Sequence, residues 1–263
     1  MRAESEGRAA VRWAAIRTGS LAVACMVAAA CGGTDTAAAR RGGGRGAPPV
    51  ALESTTAATP AATPGAAAVN TRNRTRDPKG LFLGTSLTAG LGLADPATEA
   101  WPAVVQQLAD SAGLPFKVVN GGLSGETSAG ALRRADWLFR ERYDVIVIET
   151  GANDGLRGLE VDTTAANIKG IIAKARASSP GAAVYLLQME APTNMGPRYT
   201  KAFHAIFPRV AMETGVTLLP FLLDGVAGIA KYNQADGIHP TAEGARMAAH
   251  NVWPGLRYAL RHP

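Results

Sequence analysis

The sequence predicts an α/β fold for residues 79–263, a three-layer α/β/α sandwich around a five-stranded parallel sheet. Five short apolar runs begin 29 to 38 residues apart, close to the length of a strand–helix–strand unit. The runs are continuously apolar, as expected of strands covered on both faces. Amphipathic stripes with helical spacing lie between several of them. Alternation of these two patterns is typical of a parallel sheet with helices on both sides.

The predicted elements follow one another regularly along the chain. The apolar runs predict strands at residues 81–83, 116–119, 145–148, 183–187 and 216–219. Three stripes obey the i, i+3, i+4, i+7 rule of an amphipathic helix: Trp101, Val104, Val105 and Leu108; Ile168, Ile171, Ile172 and Ala175; and Phe203, Ile206, Phe207 and Val210. We interpret these stripes as the helix faces that pack on the sheet.

Residues 1–31 have the features of a secretory signal. Four arginines among the first 17 residues precede a ten-residue apolar run, residues 21–30. Ten helical residues span about 15 Å, roughly half the hydrocarbon thickness of a bilayer, so the run is too short for a transmembrane helix. A charged segment followed by a short apolar one is typical of an export signal. We therefore expect an exported protein of the periplasm or cell envelope.

The end of this apolar run allows two interpretations. Its sequence, AAACG at residues 28–32, resembles the lipobox of bacterial lipoproteins, in which the cysteine is lipidated and becomes the mature N-terminus, although Ala28 stands where that motif usually has leucine. Lipidation of Cys31 would allow membrane anchoring, provided that more than one acyl chain is attached. The alternative is cleavage after an Ala-x-Ala site, with Cys31 incidental. The other cysteine, Cys25, also precedes residue 79, so the predicted domain has neither a disulfide nor a thiolate metal site.

Residues 32–78 are rich in Ala, Thr, Gly, Pro and Arg and predict a disordered tether, because they contain too few large apolar side chains to form a core. Of the formal net charge of +6, residues 1–78 carry +5, which leaves +1 for the domain. The arginines of the tether either contact an anionic envelope surface or are simply solvated. The domain has no basic aromatic patch, so we expect no nucleic-acid partner.

Polar residues follow four of the five predicted strands. Their loops are residues 84–90, 120–127, 151–155 and, after a longer connection, 236–240. Function in an open parallel sheet is located at the carboxyl ends of the strands, which lie at one edge. The loops bring serine, glycine, asparagine, aspartate and histidine to that edge. These are the side chains that acyl transfer requires as nucleophile, oxyanion donors, general base and orienting group.

The four loops resemble the motifs of the SGNH/GDSL hydrolase family, in the order and spacing of that family. Ser86 matches the nucleophile of the first motif, Gly125 the glycine of the second and Asn153 the asparagine of the third. Asp236 and His239 match the D-x-x-H pair of the last motif. The resemblance covers essentially all of the predicted domain. It implies a flavodoxin-like five-stranded sheet with strand order 2-1-3-4-5 and a serine hydrolase acting on ester bonds.

Within that family, the chain looks most like the bacterial acyl-CoA thioesterase I, lysophospholipase and arylesterase group. The sequence GANDGLRG at residues 151–158 and the stretch 195–199 carry this likeness. Two positions depart from the pattern. Thr85 replaces the aspartate of the first motif, and Glu126 stands where the related group often has aspartate. We expect the Thr85 hydroxyl to bond nearby backbone, so that activity survives the replacement.

The resemblance implies a two-step mechanism without a metal or cofactor. Ser86 is the expected nucleophile, His239 its general base, and Asp236 the group that orients the imidazole. The backbone N–H groups of Ser86 and Gly125 and the side-chain amide of Asn153 are expected to form the oxyanion hole.

Structural alternatives exist for each of these assignments. Ser86 is also suited to capping the following helix, and both Asp236 and Asn153 are common turn formers. Among the histidines, only His239 has an aspartate three residues earlier in a loop at the catalytic edge. His204 lies beside the apolar stripe of a helix, so we expect it to pack.

Four apolar residues near the motifs, Leu87, Leu123, Leu156 and Ile238, predict a site for an acyl chain or aryl group. We therefore expect a small acyl ester, thioester or lysophospholipid as substrate. One alternative is an SGNH-type deacetylase of cell-wall or polysaccharide O-acetyl groups. Another is a non-catalytic binding module, although the chain lacks a G-x-G-x-x-G phosphate loop. The oligomeric state is not predicted by these patterns.

Overall fold

The computed structural model describes residues 76–261. The predicted signal at residues 1–31, with Cys31, and the tether up to residue 75 lie outside the described residues. No helix among residues 76–261 combines the length and apolar character needed to cross a bilayer.

The described chain folds around a five-stranded parallel sheet of order β2-β1-β3-β4-β5, which confirms the predicted fold class and strand order. The strands are β1 (Lys79–Gly84), β2 (Lys117–Gly122), β3 (Val145–Ile148), β4 (Ala183–Leu187) and β5 (Thr217–Leu219). Every residue of β3 and β4 is buried, which explains why their sequences are continuously apolar. In the centre of the sheet, Leu81 of β1 is in register with Val119 on one side and Ile146 on the other.

The second strand begins one residue later than predicted and continues to Gly122. Phe116 packs beside β1 instead, with its ring centroid 6.4 Å from that of Phe82. Gly122 pairs with Gly84, so β1 and β2 end together. A Cβ at Gly122 would lie 2.2 Å from the backbone nitrogen of Ala89. The glycine therefore permits the close approach of β2 to the segment that follows β1.

Helices cover both faces of the sheet. They are α1 (Ser86–Ala89), α2 (Pro96–Glu99), α3 (Trp101–Ser111), α4 (Ser128–Leu138), α5 (Ala152–Arg157), α6 (Val161–Ser178), α7 (Pro197–Thr214) and α8 (Ala242–Arg261). Helix α3 packs against α8, and α6 packs against both α4 and α7. The three predicted stripes lie in α3, α6 and α7, and their side chains belong to the core, with Leu108 partly buried. This outcome confirms the reading of the stripes as packing faces.

The strand order also fixes where a site can form. Strand β1 lies between β2 and β3. The chain therefore adds β2 on one side of β1 and β3 on the other side, so the direction in which strands are added reverses at β1. Such a reversal opens a crevice at the carboxyl ends of the strands. The loops carrying the predicted motifs follow β1, β2 and β3, and the histidine loop precedes α8.

Candidate active site

Ser86 is the first residue of α1, separated from β1 by Thr85 alone, and it is buried. Its Oγ lies 2.9 Å from Nε2 of His239. The residue at the capping position is Thr85, which makes no side-chain capping bond. The structure therefore places Ser86 inside the helix and against the histidine, rather than in the alternative role of a cap.

His239 and Asp236 are joined by a short contact on the other side of the imidazole. His239 Nδ1 lies 2.6 Å from Asp236 Oδ2. The second carboxylate oxygen of Asp236 accepts the backbone N–H groups of Ile238 at 2.9 Å and His239 at 3.0 Å. Burial alone would raise the pKa of Asp236, but the hydrogen bonds from His239 and from these N–H groups outweigh it and lower the pKa. An ionised Asp236 fixes the ring with Nε2 directed at Ser86.

Gln234 holds the histidine loop against the nucleophile segment. Its backbone N–H donates to the carbonyl of His239 at 2.7 Å. Its side-chain amide donates to the carbonyls of Leu91 at 2.8 Å and Pro240 at 2.9 Å. Nothing in the sequence pattern distinguishes Gln234 from an ordinary loop residue, and its function as a tie between two distant segments is visible only in the structure.

Gly125 and Asn153 lie at the same cavity as Ser86. Gly125 has a φ of +76°, a conformation that favours glycine, and its carbonyl accepts the Arg157 guanidinium at 3.0 Å. The side-chain nitrogen of Asn153 donates one proton to the carbonyl of Glu126 at 3.0 Å. An amide nitrogen carries two protons, so the second can serve an oxyanion.

Asp154 joins the two loops that carry these donors. It is buried at the start of α5 and accepts both the N–H of Ser128 at 2.8 Å and its hydroxyl at 2.6 Å. Ser128 begins α4, directly after the loop that contains Gly125. The hydroxyl of Thr164 lies 3.3 Å from the same carboxylate. The hydrogen bonds of Asp154 therefore set the position of Asn153 relative to Gly125.

Arg134 clamps the ends of β1 and β2 to the loop of Gly125. Its guanidinium holds the Glu126 carboxylate through contacts of 2.6 Å and 2.7 Å, and both side chains are largely buried. The same guanidinium donates to the carbonyls of Gly121 at 2.8 Å and Gly84 at 3.2 Å. A charge-assisted bidentate pair of this kind is both stronger and more directional than a neutral hydrogen bond.

Glu149 lies fully buried beneath the turn that carries Ser86. Its carboxylate accepts the backbone N–H of Thr85 at 2.7 Å, the hydroxyl of Thr85 at 3.0 Å and the hydroxyl of Thr88 at 2.9 Å. The Thr85 hydroxyl thus bonds a carboxylate, whereas the sequence predicted a backbone partner. Burial raises the pKa of Glu149 to about 7, against the opposing effect of these hydrogen bonds.

The cavity beside Ser86 has a volume of about 210 Å³ and a mainly apolar lining. Of the four predicted apolar residues, Leu87, Leu156 and Ile238 line it. Leu123 does not, because its side chain is half exposed and lines a separate groove with Trp137. Four further apolar lining residues, which the sequence prediction did not include, follow β4 and β5: Met189, Pro192, Phe221 and Leu223. Their position after predicted strands was the signal that identified the other loops.

His204 does not pack into the core as predicted. Its side chain is 57% exposed, and its Nδ1 lies 2.6 Å from Oε1 of Glu190, a further residue of the cavity lining. Phe203, the residue before His204, belongs to the apolar stripe of α7 and points into the core. Because successive residues of a helix lie about 100° apart around its axis, His204 faces the loop after β4 instead. Within residues 76–261, no group of three or more His, Cys, Asp or Glu side chains is arranged to hold a metal ion.

Comparisons with known proteins agree with this arrangement. Residues 82–247 match the family model described as GDSL-like Lipase/Acylhydrolase family. Esterase TesA of Pseudomonas aeruginosa is 41% identical over 181 residues, which cover 68% of this chain and 88% of that protein. Thioesterase 1/protease 1/lysophospholipase L1 of Escherichia coli (strain K12) is 38% identical over 183 residues, covering 69% of this chain and 85% of that protein.

A solved structure resembles the whole described domain. The psychrotrophic esterase EstA from Pseudoalteromonas sp., inhibited by monoethylphosphonate, has a TM-score of 0.65 and 32% identity, and the match covers 71% of this chain and all of that one. The predicted resemblance, including the likeness to the thioesterase and lysophospholipase group, is thus confirmed. With most of the described fold matched by one family model and by relatives of this identity, the chain belongs to the GDSL-like lipase/acylhydrolase family of ester-hydrolysing enzymes.

Proposed function

We propose that this chain is an exported serine esterase that hydrolyses small carboxylic esters or thioesters through an acyl-Ser86 intermediate. The observation that carries the proposal is the continuous chain of contacts from Ser86 through His239 to Asp236, opening on an apolar cavity. The names of the relatives, an esterase and a thioesterase/lysophospholipase, support this substrate class. The apolar lining offers a sugar ring few hydrogen-bonding partners and does not favour the deacetylase alternative.

In the first step, Ser86 Oγ attacks the carbonyl carbon of the substrate while His239 Nε2 takes its proton. The carbonyl oxygen becomes an anion, which the N–H groups of Ser86 and Gly125 and the free amide proton of Asn153 bind. The bond to the leaving alcohol or thiol then breaks, and that group leaves with the proton held by His239. The product of this step is an ester between the acyl group and Ser86.

In the second step, water attacks the acyl carbon and gives a proton to His239 Nε2. The bond between the acyl carbon and Ser86 Oγ breaks, and the proton returns to Ser86. Asp236 stays ionised throughout, because its pKa is held low by its hydrogen-bond donors. It stabilises the imidazolium that forms in each step.

The proposed location follows from the sequence of residues 1–31. Their charged segment and short apolar run support export to the periplasm or cell envelope. Cys31 at the end of that run is proposed as a lipidation site, which would hold the domain near a membrane through the tether of residues 32–78.

A phosphonate ester that traps the nucleophile tests this function. With the full chain, p-nitrophenyl ethylphosphonate is expected to release one equivalent of nitrophenol, to abolish hydrolysis of p-nitrophenyl butyrate and to add the phosphonyl mass to the peptide containing Ser86. Ser124→Ala is a matched control, since Ser124 is an exposed serine close to Gly125. That variant should be labelled like the wild type. Label on another residue, or no butyrate hydrolysis before treatment, would contradict the proposal.

Replacing Arg134 by lysine is expected to lower kcat about tenfold and to leave KM within about twofold. A lysine keeps the charge but cannot hold the Glu126 carboxylate bidentately while also reaching the carbonyls of Gly84 and Gly121. The loop of Gly125 should then lose its position relative to Ser86. Arg133→Lys, one residue away on the exposed face of α4, is the control and should retain wild-type kinetics. An unchanged kcat in Arg134→Lys would show that the clamp does not position the site.

A further inference from the structure

Glu190 is a charged residue at the cavity, and the mechanism does not use it. It follows β4, and among the described residues that line the cavity it carries the only carboxylate, while none carries a lysine or arginine side chain. Its side chain is 31% exposed. The charge therefore lies in a partly desolvated position, where Coulomb interactions are stronger than in bulk water.

Two neighbours hold this carboxylate in place. His204 of α7 approaches one of its oxygens at 2.6 Å, and the side-chain amide of Gln188 donates to the same oxygen at 3.2 Å. Gln188 also donates to the carbonyl of Met189 at 2.9 Å, so the loop after β4 is fixed from within. Glu190 is thus positioned at the cavity, rather than free to swing into solvent.

The surrounding residues indicate which part of a substrate meets Glu190. His239 must deliver a proton to the leaving oxygen, so the alcohol or thiol part lies towards the histidine loop. The acyl part is left with the apolar residues after β3 and β4, among them Leu156, Met189 and Pro192. Arg157, a cation near the site, is engaged with the carbonyl of Gly125. Gly125 follows β2, and in the sheet β1 and β3 lie between β2 and β4.

We propose that Glu190 is a specificity-determining residue that makes the acyl site select against acyl groups ending in a carboxylate and in favour of neutral ones. The inference rests on the proposed esterase function and adds the charge of the acyl group to it. A half-ester of a dicarboxylic acid would bring its free carboxylate to the side of the cavity where Glu190 lies. In the transition state for its hydrolysis, the negative charges of the substrate carboxylate and of Glu190 would then lie at close range.

Two substrates with the same leaving group measure this selectivity in the full chain. They are p-nitrophenyl butyrate and mono-p-nitrophenyl succinate, whose acyl groups have the same number of carbons and differ by the terminal carboxylate. Glu190→Gln is expected to raise the ratio of kcat/KM for the succinate to kcat/KM for the butyrate about fivefold. Glu190→Lys, which reverses the charge, should raise this ratio about twentyfold.

The control variant is Glu213→Gln, which makes the same change in net charge at an exposed residue of α7, outside the cavity lining. Its succinate-to-butyrate ratio should equal that of the wild type. Butyrate hydrolysis by each variant shows that the variant is folded. An unchanged ratio in active Glu190→Gln and Glu190→Lys variants overturns the inference and leaves the esterase function standing. If the wild type hydrolyses neither ester, the proposed function fails and the inference fails with it.

Discussion

Ser86→Ala is expected to lower kcat for ester hydrolysis by about a millionfold, as the loss of the nucleophile does in serine hydrolases with a comparable triad. The Ser86 hydroxyl lies 2.9 Å from His239 and faces the cavity, and alanine removes only its oxygen. The oxyanion donors and the cavity remain, so some acceleration over water should persist. Single-turnover and steady-state assays with p-nitrophenyl butyrate measure the loss.

Substitution of His239 tests the same chain of contacts independently. His239→Ala should lower kcat almost as much as Ser86→Ala, and the double variant should lower it no further, because the two groups act as one unit. His250→Ala is the matched control, since His250 is exposed on α8. That variant should retain full activity. Two losses that multiply in the double variant would show that Ser86 and His239 do not share a step.

The fold could be predicted because buried strands and buried helix faces have apolar sequence patterns. Strands β3 and β4 are covered on both faces, so they read as apolar runs whose ends the pattern located correctly. The end of β2 was predicted too early, because the end of this strand is not covered in the same way. Its last residues, from Asn120 to Gly122, are neither apolar nor buried, and they belong to the sheet only because their backbones pair with β1.

The candidate site could be predicted where a residue type has a specific chemical function. Serine, asparagine, aspartate and histidine at strand ends indicated Ser86, Asn153, Asp236 and His239, and the structure brings these four together. Their supports could not be predicted, because they act across long distances in sequence. Gln234 reaches a carbonyl 143 residues away. No local pattern records such a contact.

The structure gives a physical reason for threonine, rather than aspartate, at position 85. The sequence marks it as a replacement for aspartate, and the structure places the buried carboxylate of Glu149 directly beneath it. Two carboxylates at this distance would repel each other, whereas a threonine hydroxyl donates a hydrogen bond. Thr85 and Thr88 together supply the donors that a buried Glu149 needs.

Glu149 should make the free energy of unfolding decrease as the pH rises. A surface carboxylate that is paired with a cation has the opposite effect. Its pKa in the folded protein is about 7, against an ordinary value of 4.5, because burial disfavours the charged form. The folded state therefore binds this proton more tightly than the unfolded state does. The resulting stabilisation is complete below about pH 4.5 and is lost as the pH rises through about 7. Over the whole window the change amounts to about 3 kcal/mol.

The comparison of wild type with Glu149→Gln isolates this effect, since glutamine has nearly the same shape and does not titrate. Urea unfolding of both proteins between pH 4 and pH 9 should show the wild type losing about 3 kcal/mol relative to the variant as the pH rises. Glu141→Gln is the control with the opposite sign, because the hydrogen bond and charge of Lys79 lower the pKa of the exposed Glu141. There the wild type should lose stability relative to its variant only as the pH falls towards and below about 4.5, the ordinary pKa of glutamate. A difference for Glu149→Gln that stays constant with pH would contradict this prediction. It would mean that the three donors from Thr85 and Thr88 fully offset the burial, so that Glu149 binds its proton equally well in the folded and unfolded states.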